Sequence, residues 1–197
     1  MRAKLTGVTT GAMVLAWPLA AQTAAAPVPS AERQIREAVM PAPEAQRDSA
    51  SVLGYAPAGN LVTLRAGAGE LICLADDPSD PRFHVACYHK DLEPFMARGR
   101  ALRAEGKDRA VIDSVREAEI EAGTLVMPRA PRALFSLSAP ADSVDTATGE
   151  ARGLSPLYVV YIPYATEAST GITTKAARGV PWLMFPGKPW AHIMVVP

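Results

Sequence analysis

The chain carries two cysteines, and both fall in one short stretch, "CLADDPSDPRFHVACYH", Cys73 to His89. On either side of the acidic, proline-containing "DDPSDPR" the sequence is β-rich, from Glu70 to Ala75 before it and over "FHVACYH" after it. Prolines and aspartates fit a turn and could not continue a central strand, so the two runs are expected to pair as an antiparallel hairpin. A register that matches residue 74 with residue 86 sets Cys73 directly opposite Cys87. Cross-strand neighbours of that kind have Cα atoms about 4.5 to 5.5 Å apart, within reach of a disulfide.

A structural staple is therefore expected in preference to a metal site or a reactive thiol. The cysteines stand too far apart for a C-x-x-C knuckle, and no second pair exists to complete a zinc site. His84 and His89 differ by an odd number of residues, which sends them to opposite faces of a continuing strand. The haem-attachment pattern C-x-x-C-H is absent, and "DDPSDP" lacks the glycine and the distal glutamate of an EF-hand loop. Softness would allow copper at Cys87, His89 or His192 with methionines, but no diagnostic spacing supports it. No metal and no cofactor are expected.

Such a staple persists in an oxidising compartment. The first residues, "MRAKLTGVTTGAMVLAWPLAAQTAAAPVPS", have the layout of a secretory leader: Arg2 and Lys4, an apolar centre from Val8 to Ala21, then small residues suited to cleavage. Residues 1–25 are assigned to it. A membrane span needs about 20 apolar residues. Thr9, Thr10, Gly11 and Pro18 weaken this shorter run, so no stable membrane insertion is expected after cleavage. No cysteine near the cleavage region suggests a lipid anchor, and Arg2 and Lys4 make no twin-arginine pair. The expected destination is the periplasm or the extracellular space.

Cleavage would leave 18 basic against 20 acidic side chains, a formal charge of −2. That argues against nucleic acid as partner, because affinity for a polyphosphate comes largely from a basic excess that neutralises phosphates. The arginines of "RGRALRAEGKDRAVIDSVREAEIEAG" are interspersed with acids and read as a solvated, ion-paired helix face.

Residues 26–50 form a proline- and alanine-rich arm with one short helix, "SAERQIREAVM", in which Ser30 can N-cap and Ile35 and Val39 share a face. Residues 51–197 are expected to make a single domain. Leu61 to Arg65 and Glu70 to Ala75, divided by "AGAG", carry a hairpin signal. Two helices follow: one with Leu92, Phe95, Met96 and Leu102 inward, the next capped by Asp108, with Val111, Val115 and Ala118 inward and Gly123 as its stop. "RALFSLSA", "LYVVYIPYA" and "WAHIMVV" read as later strands. The fold class is α+β, with a largely antiparallel sheet packed on a helical hairpin and a proline-rich N-terminal arm; strand and helix do not alternate as a doubly wound sheet requires.

Two places could hold a ligand. The loop "TEASTGITTKAARG" gathers hydroxyls and cations, Ser169, Thr170, Thr173, Lys175 and Arg178 among them, which with backbone N–H groups can cradle a carboxylate or phosphate; it is not a P-loop. Beside it Trp182 and Trp190, with Phe185 and several prolines, could wall a cleft. His192 shares an otherwise apolar strand face with Met194 and Val196, which suits a satisfied core histidine or a catalytic base. Neither G-x-S-x-G nor S-x-x-K occurs.

"ELICLADDPSDPRFHVACYHKDLEPFMARGRAL", "YIPYATEASTGITTK" and "PWLMFPGKPWAHIM" resemble a family of exported bacterial proteins to which no activity is attached. The resemblance covers the chain from about residue 50 onward and implies bacterial export and a single domain. Three functions stay open: an envelope domain binding a small, anionic ligand; a hydrolase-like acid–base enzyme using His192 with Asp76, Glu117 or His89; and an envelope structural or interaction protein.

Overall fold

The structure, a computed structural model, describes residues 28–140, 143–145, 148 and 152–197; the leader assigned to residues 1–25 lies outside them. The order of elements is α1 Ala31–Ala38, α2 Glu44–Arg47, β1 Ser51–Tyr55, β2 Leu61–Arg65, β3 Leu71–Leu74, β4 Arg82–His89, α3 Glu93–Ala104, α4 Arg109–Glu121, β5 Arg132–Pro140, β6 Ser155–Tyr161, α5 Glu167–Thr170, β7 Trp182–Met184 and β8 His192–Val195. Eight strands among the described residues make one sheet, ordered β2-β1-β3-β4-β5-β6-β8-β7. Every neighbouring pair is antiparallel except β1 and β3. The fold is α+β, as the element pattern predicts. Among the described residues no helix is long and apolar enough to cross a membrane.

Strand alternation divides the core into two layers. On one face, Cys73, Cys87 and Val52 meet Ala38, Ala42 and Ala50 of the arm, with Ile35 and Val39 of α1 packed alongside. The arm therefore wraps the sheet. Its buried Gln34 bonds the edge of β1 twice, donating to the Tyr55 carbonyl at 2.9 Å and accepting from the Tyr55 N–H at 2.7 Å. On the opposite face, Tyr88, Val159, Tyr161 and Trp190 pack against Leu92 and Phe95 of the helical hairpin α3–α4. Each fully buried side chain of this size contributes about 1.5–3 kcal/mol.

The expected hairpin between 61–65 and 70–75 is not formed. β2 folds back on β1, a strand the sequence reading leaves unassigned, and β3 then lies parallel to β1 on its other side. "AGAG" is a crossover rather than a tight turn. A Cβ placed on Gly67 would come within 2.3–2.5 Å of the Ser49 and Ala50 backbone, so glycine there permits close passage of two chain segments. β1 itself is hard to see because Gly54 interrupts its run, and a Cβ at that position would strike Gln34 and Leu64.

The inward face of α4 also differs from expectation. Ile112 and Arg116 are its buried residues, Val111 is 41% exposed, and Ala118 lies at the surface. Asp108 does cap the helix, accepting from the Val111 N–H at 2.9 Å. In α3 the expected inward residues hold: Leu92, Phe95 and Leu102 are buried and Met96 packs beside them. Finally, Trp182–Met184 forms the short edge strand β7, which the sequence reading leaves unassigned.

Candidate functional site

The cysteine stretch is a stapled hairpin. β3 and β4 pair with Leu74 opposite Ala86, which sets Cys73 opposite Cys87; their Cα atoms are 4.0 Å apart and the sulfurs are bonded. Closing a loop of this length contributes roughly 3 kcal/mol by the chain-entropy account. The turn uses its acids as hydrogen-bond acceptors: Asp77 takes the N–H and hydroxyl of Ser79, Asp80 takes the Arg82 N–H, and Asp76 takes the His84 N–H at 2.7 Å. Burial pushes the Asp76 carboxyl up to about 6, against the pull of the His84 N–H. The histidines do not meet. His89 caps the turn into α3, accepting from the Asp91 N–H, while β5 and β6 separate His84 on β4 from His192 on β8.

The Ser/Thr loop spends its polar groups on itself. Thr166 and Ser169 form a reciprocal capping box around α5, with each side chain accepting from the other's N–H at 3.1 and 2.9 Å. Thr170 donates to the Thr166 carbonyl at 2.8 Å and accepts from the Ile172 N–H. Thr173 accepts from the Lys175 N–H, and Glu167 takes the Thr174 N–H. Lys175 and Arg178 are exposed. The loop is anchored through Ile172 against Ala165, Leu183, Ala191 and Ile193, the sheet face opposite His192. Trp182 stands beside Met194 on β7 and is not among the residues lining the cleft described next.

Trp190 and His192 do come together, in a cleft of about 220 Å³ between the sheet and the α3–α4 hairpin. Leu74, Tyr161 and His192 supply the floor, α3 supplies Phe95, Met96, Gly99, Arg100 and Arg103, and α4 supplies Arg109, Ile112 and Arg116. Four arginines thus line one cavity, Arg103 and Arg109 from its exposed rim. Two carboxylates partly balance them. Glu93 holds Arg100 at 2.6 Å, with Tyr88 bonded to both, and Asp113 bridges Arg109 at 2.8 Å and Arg116 at 2.7 Å. Arg103 has no ion-pair partner among the described residues.

Arg116 is the buried member, 7% exposed. Its guanidinium lies 3.8 Å from the centre of the Phe95 ring, a cation–π contact, and burial pushes it below the usual arginine range although Asp113 opposes that. Gly99 makes the arrangement possible: a Cβ there would stand 2.9 Å from Arg116 Nη1. A glycine inside a helix costs about 1 kcal/mol relative to alanine, and room for Arg116 is what that cost obtains. Two donors of cleft-lining residues, Arg116 Nε and Trp190 Nε1, are buried without a hydrogen-bond partner among the described residues.

His192 is 7% exposed and makes one hydrogen bond, 2.8 Å from Nδ1 to the Trp190 carbonyl. A carbonyl only accepts, so Nδ1 carries the proton and Nε2 is left as an acceptor. Nε2 has no partner among the described residues, and His192 lines the cleft. Burial holds the imidazole below its ordinary range, opposed by the Trp190 carbonyl and reinforced by Arg109. The ring lies 4.9 Å from Tyr161, whose phenol burial pushes up to about 12, and 5.7 Å from Phe185. Asp76, Glu117 and His89 do not reach His192; Glu117 instead binds Lys188 at 2.6 Å, tying α4 to the turn before β8. In that turn Phe185 sits at φ 53°, a left-handed conformation costing about 1–3 kcal/mol at a non-glycine residue, with Arg109 5.8 Å from its ring centre.

The arginine lining escapes a reading that treats every charge run as a solvated face. Arg109, Ile112 and Arg116 do share one helix face, at i, i+3 and i+7, but the same spacing serves ion-paired surface stripes and does not by itself turn that face inward. No protein-family model matches the chain, and neither a curated protein nor a solved structure is found to be significantly similar to it.

Proposed function

We propose that the protein is exported and binds a small anion in the cleft between its sheet and the α3–α4 hairpin, as a ligand-binding domain of the bacterial envelope. The Cys73–Cys87 staple suits an oxidising compartment, and the leader-like start and the resemblance to exported bacterial proteins favour the same destination. One observation carries the binding reading: four arginines, Arg116 buried and Arg103 and Arg109 at the exposed rim, line a cavity with an aromatic wall, and among the described residues Glu93 and Asp113 are the carboxylates paired with them. The buried Arg116 acts on an anion more strongly than the exposed Arg103 and Arg109 do. The ligand set shifts accordingly, to Trp190 and His192 with Arg103, Arg109 and Arg116. Calorimetric titration with phosphate, acetate and benzoate tests it. Saturable binding that weakens about tenfold in Arg109→Ala and falls with added salt is expected; no saturable heat from any of the three overturns it.

A second reading makes His192 a general base, favoured by the tautomer that leaves Nε2 unprotonated on a residue lining the cleft. It lacks an orienting carboxylate. Turnover of a chromogenic ester that disappears in His192→Ala would favour it, and binding without turnover would favour the binding domain.

A further inference from the structure

Resting on the anion-binding reading, we infer that the ligand is a hydroxylated carboxylic acid with a short apolar body. The first element is charge. Four arginines against two carboxylates leave a positive excess at the cleft, which calls for an anion. The second is the walls. Leu74, Phe95, Met96 and Ile112 present apolar surface to the same cavity, and an ion without an apolar body would leave that surface against water. The third is His192. Its Nδ1 proton is committed to the Trp190 carbonyl, so Nε2 of the neutral ring, unpartnered among the described residues, accepts and cannot donate. An oxyanion placed there would meet a lone pair; a donor would be held. Between the common donors, an amino group would be cationic beside four arginines, which leaves a hydroxyl.

The cleft is also short of acceptors. Arg116 Nε and Trp190 Nε1 are donors with neither partner nor solvent contact. An acceptor gains them only as the surrounding side chains shift, and leaving each unpaired costs about 1–3 kcal/mol. A carboxylate with two oxygens meets that need and a neutral amide does so less well.

The test is calorimetric titration of the whole protein with 3- and 4-hydroxybenzoate, benzoate, benzamide and inorganic phosphate. The expected order is hydroxybenzoate tighter than benzoate by about fivefold for at least one isomer, the yield of one neutral hydrogen bond, with benzamide and phosphate weaker than benzoate. His192→Phe should bring the ratio of hydroxybenzoate to benzoate affinity down to about one, whatever it does to benzoate itself, and His192→Gln, whose amide oxygen accepts, should restore part of that ratio. Phosphate binding as tightly as the hydroxybenzoates overturns the ligand class and leaves the anion reading standing. Equal affinity for benzoate and both hydroxybenzoates overturns the role of His192. No saturable binding of any anion, phosphate included, overturns the anion reading itself.

Discussion

The Ser/Thr loop before β7 and the cleft under the α3–α4 hairpin are built from similar chemistry, hydrogen-bonding side chains and cations around a turn or cavity, yet they end in opposite states. In the loop, Thr166, Ser169, Thr170 and Thr173 bond to backbone groups within a few residues of themselves. In the cleft, Arg116 Nε, Trp190 Nε1 and His192 Nε2 are left over after the local bonds are made. A density of polar residues in sequence measures only how many groups are present. Binding capacity is what remains once capping, turns and ion pairs are satisfied, and hydroxyls close to a helix start are the groups most easily consumed.

The largest effect that could break this contrast is at Arg116. Arg116→Ala removes a buried ion-pair partner and the contact with Phe95, and should cost about 3 kcal/mol in denaturant unfolding, with loss of anion binding. Arg116→Met, which keeps apolar volume while Asp113 retains Arg109, should recover most of the stability and none of the binding. If Arg116→Met still bound benzoate as the parent does, the cleft would lose its claim.

A smaller effect sharpens the loop side. Thr166→Ala removes the capping box and should cost about 1 kcal/mol while leaving the benzoate titration unchanged. A change in binding would mean that the loop does more than cap α5.

Smaller again is the pH response of His192. Its folded pKa is depressed by burial, so below the unfolded value of 6.5 the unfolded chain takes up a proton that the folded protein resists. The stability contributed by neutral His192 is present above that value and declines as pH falls toward the folded pKa. Thermal unfolding from pH 7.5 to 5 should show this slope in the parent and less of it in His192→Phe; identical slopes would place the imidazole in a less buried setting. Asp76, pushed up to about 6, acts in the opposite sense, stabilising below 3.8 and losing that contribution as pH rises through 6, so the comparison is best made in an Asp76→Asn background.

The smallest effect belongs to the exposed loop cations. Lys175→Ala and Arg178→Ala should each change stability by less than about 0.5 kcal/mol and leave anion affinity untouched, as measured by melting and titration. A severalfold loss of affinity in either would move the site to the loop.

What the sequence exposed, and what it concealed, follows the range of the interactions. The Cys73–Cys87 pairing is legible because turn chemistry and period-two alternation set the register within seventeen residues. The α+β class, the capped helices and the inward face of α3 are legible for the same local reason. β1 is hidden because Gly54 breaks its pattern to leave room for Gln34, whose side chain bonds Tyr55 across a separation of 21 residues. The crossover at Gly67 looks like a turn because a glycine needed for close passage and a glycine needed for a bend are the same letter. Of the candidate site, Trp190 and His192 could be singled out from strand alternation and composition. Arg109 and Arg116 could not, since only the docking of α4 over Phe95 makes cations face inward, and that packing depends on the whole sheet.

The central claim is that the cleft, and not the loop, holds the acceptor-hungry site, and the Trp190 indole reports on it directly. Proton–nitrogen correlation spectra of the whole protein, with the indole signals assigned through Trp190→Phe and Trp182→Phe, would follow both side chains during a benzoate titration. The account predicts that the Trp190 Nε1–H resonance moves saturably downfield as it gains an acceptor while the Trp182 resonance stays within a small fraction of that shift. A Trp190 resonance that does not move while benzoate binds, or a Trp182 resonance that moves in its place, would contradict it.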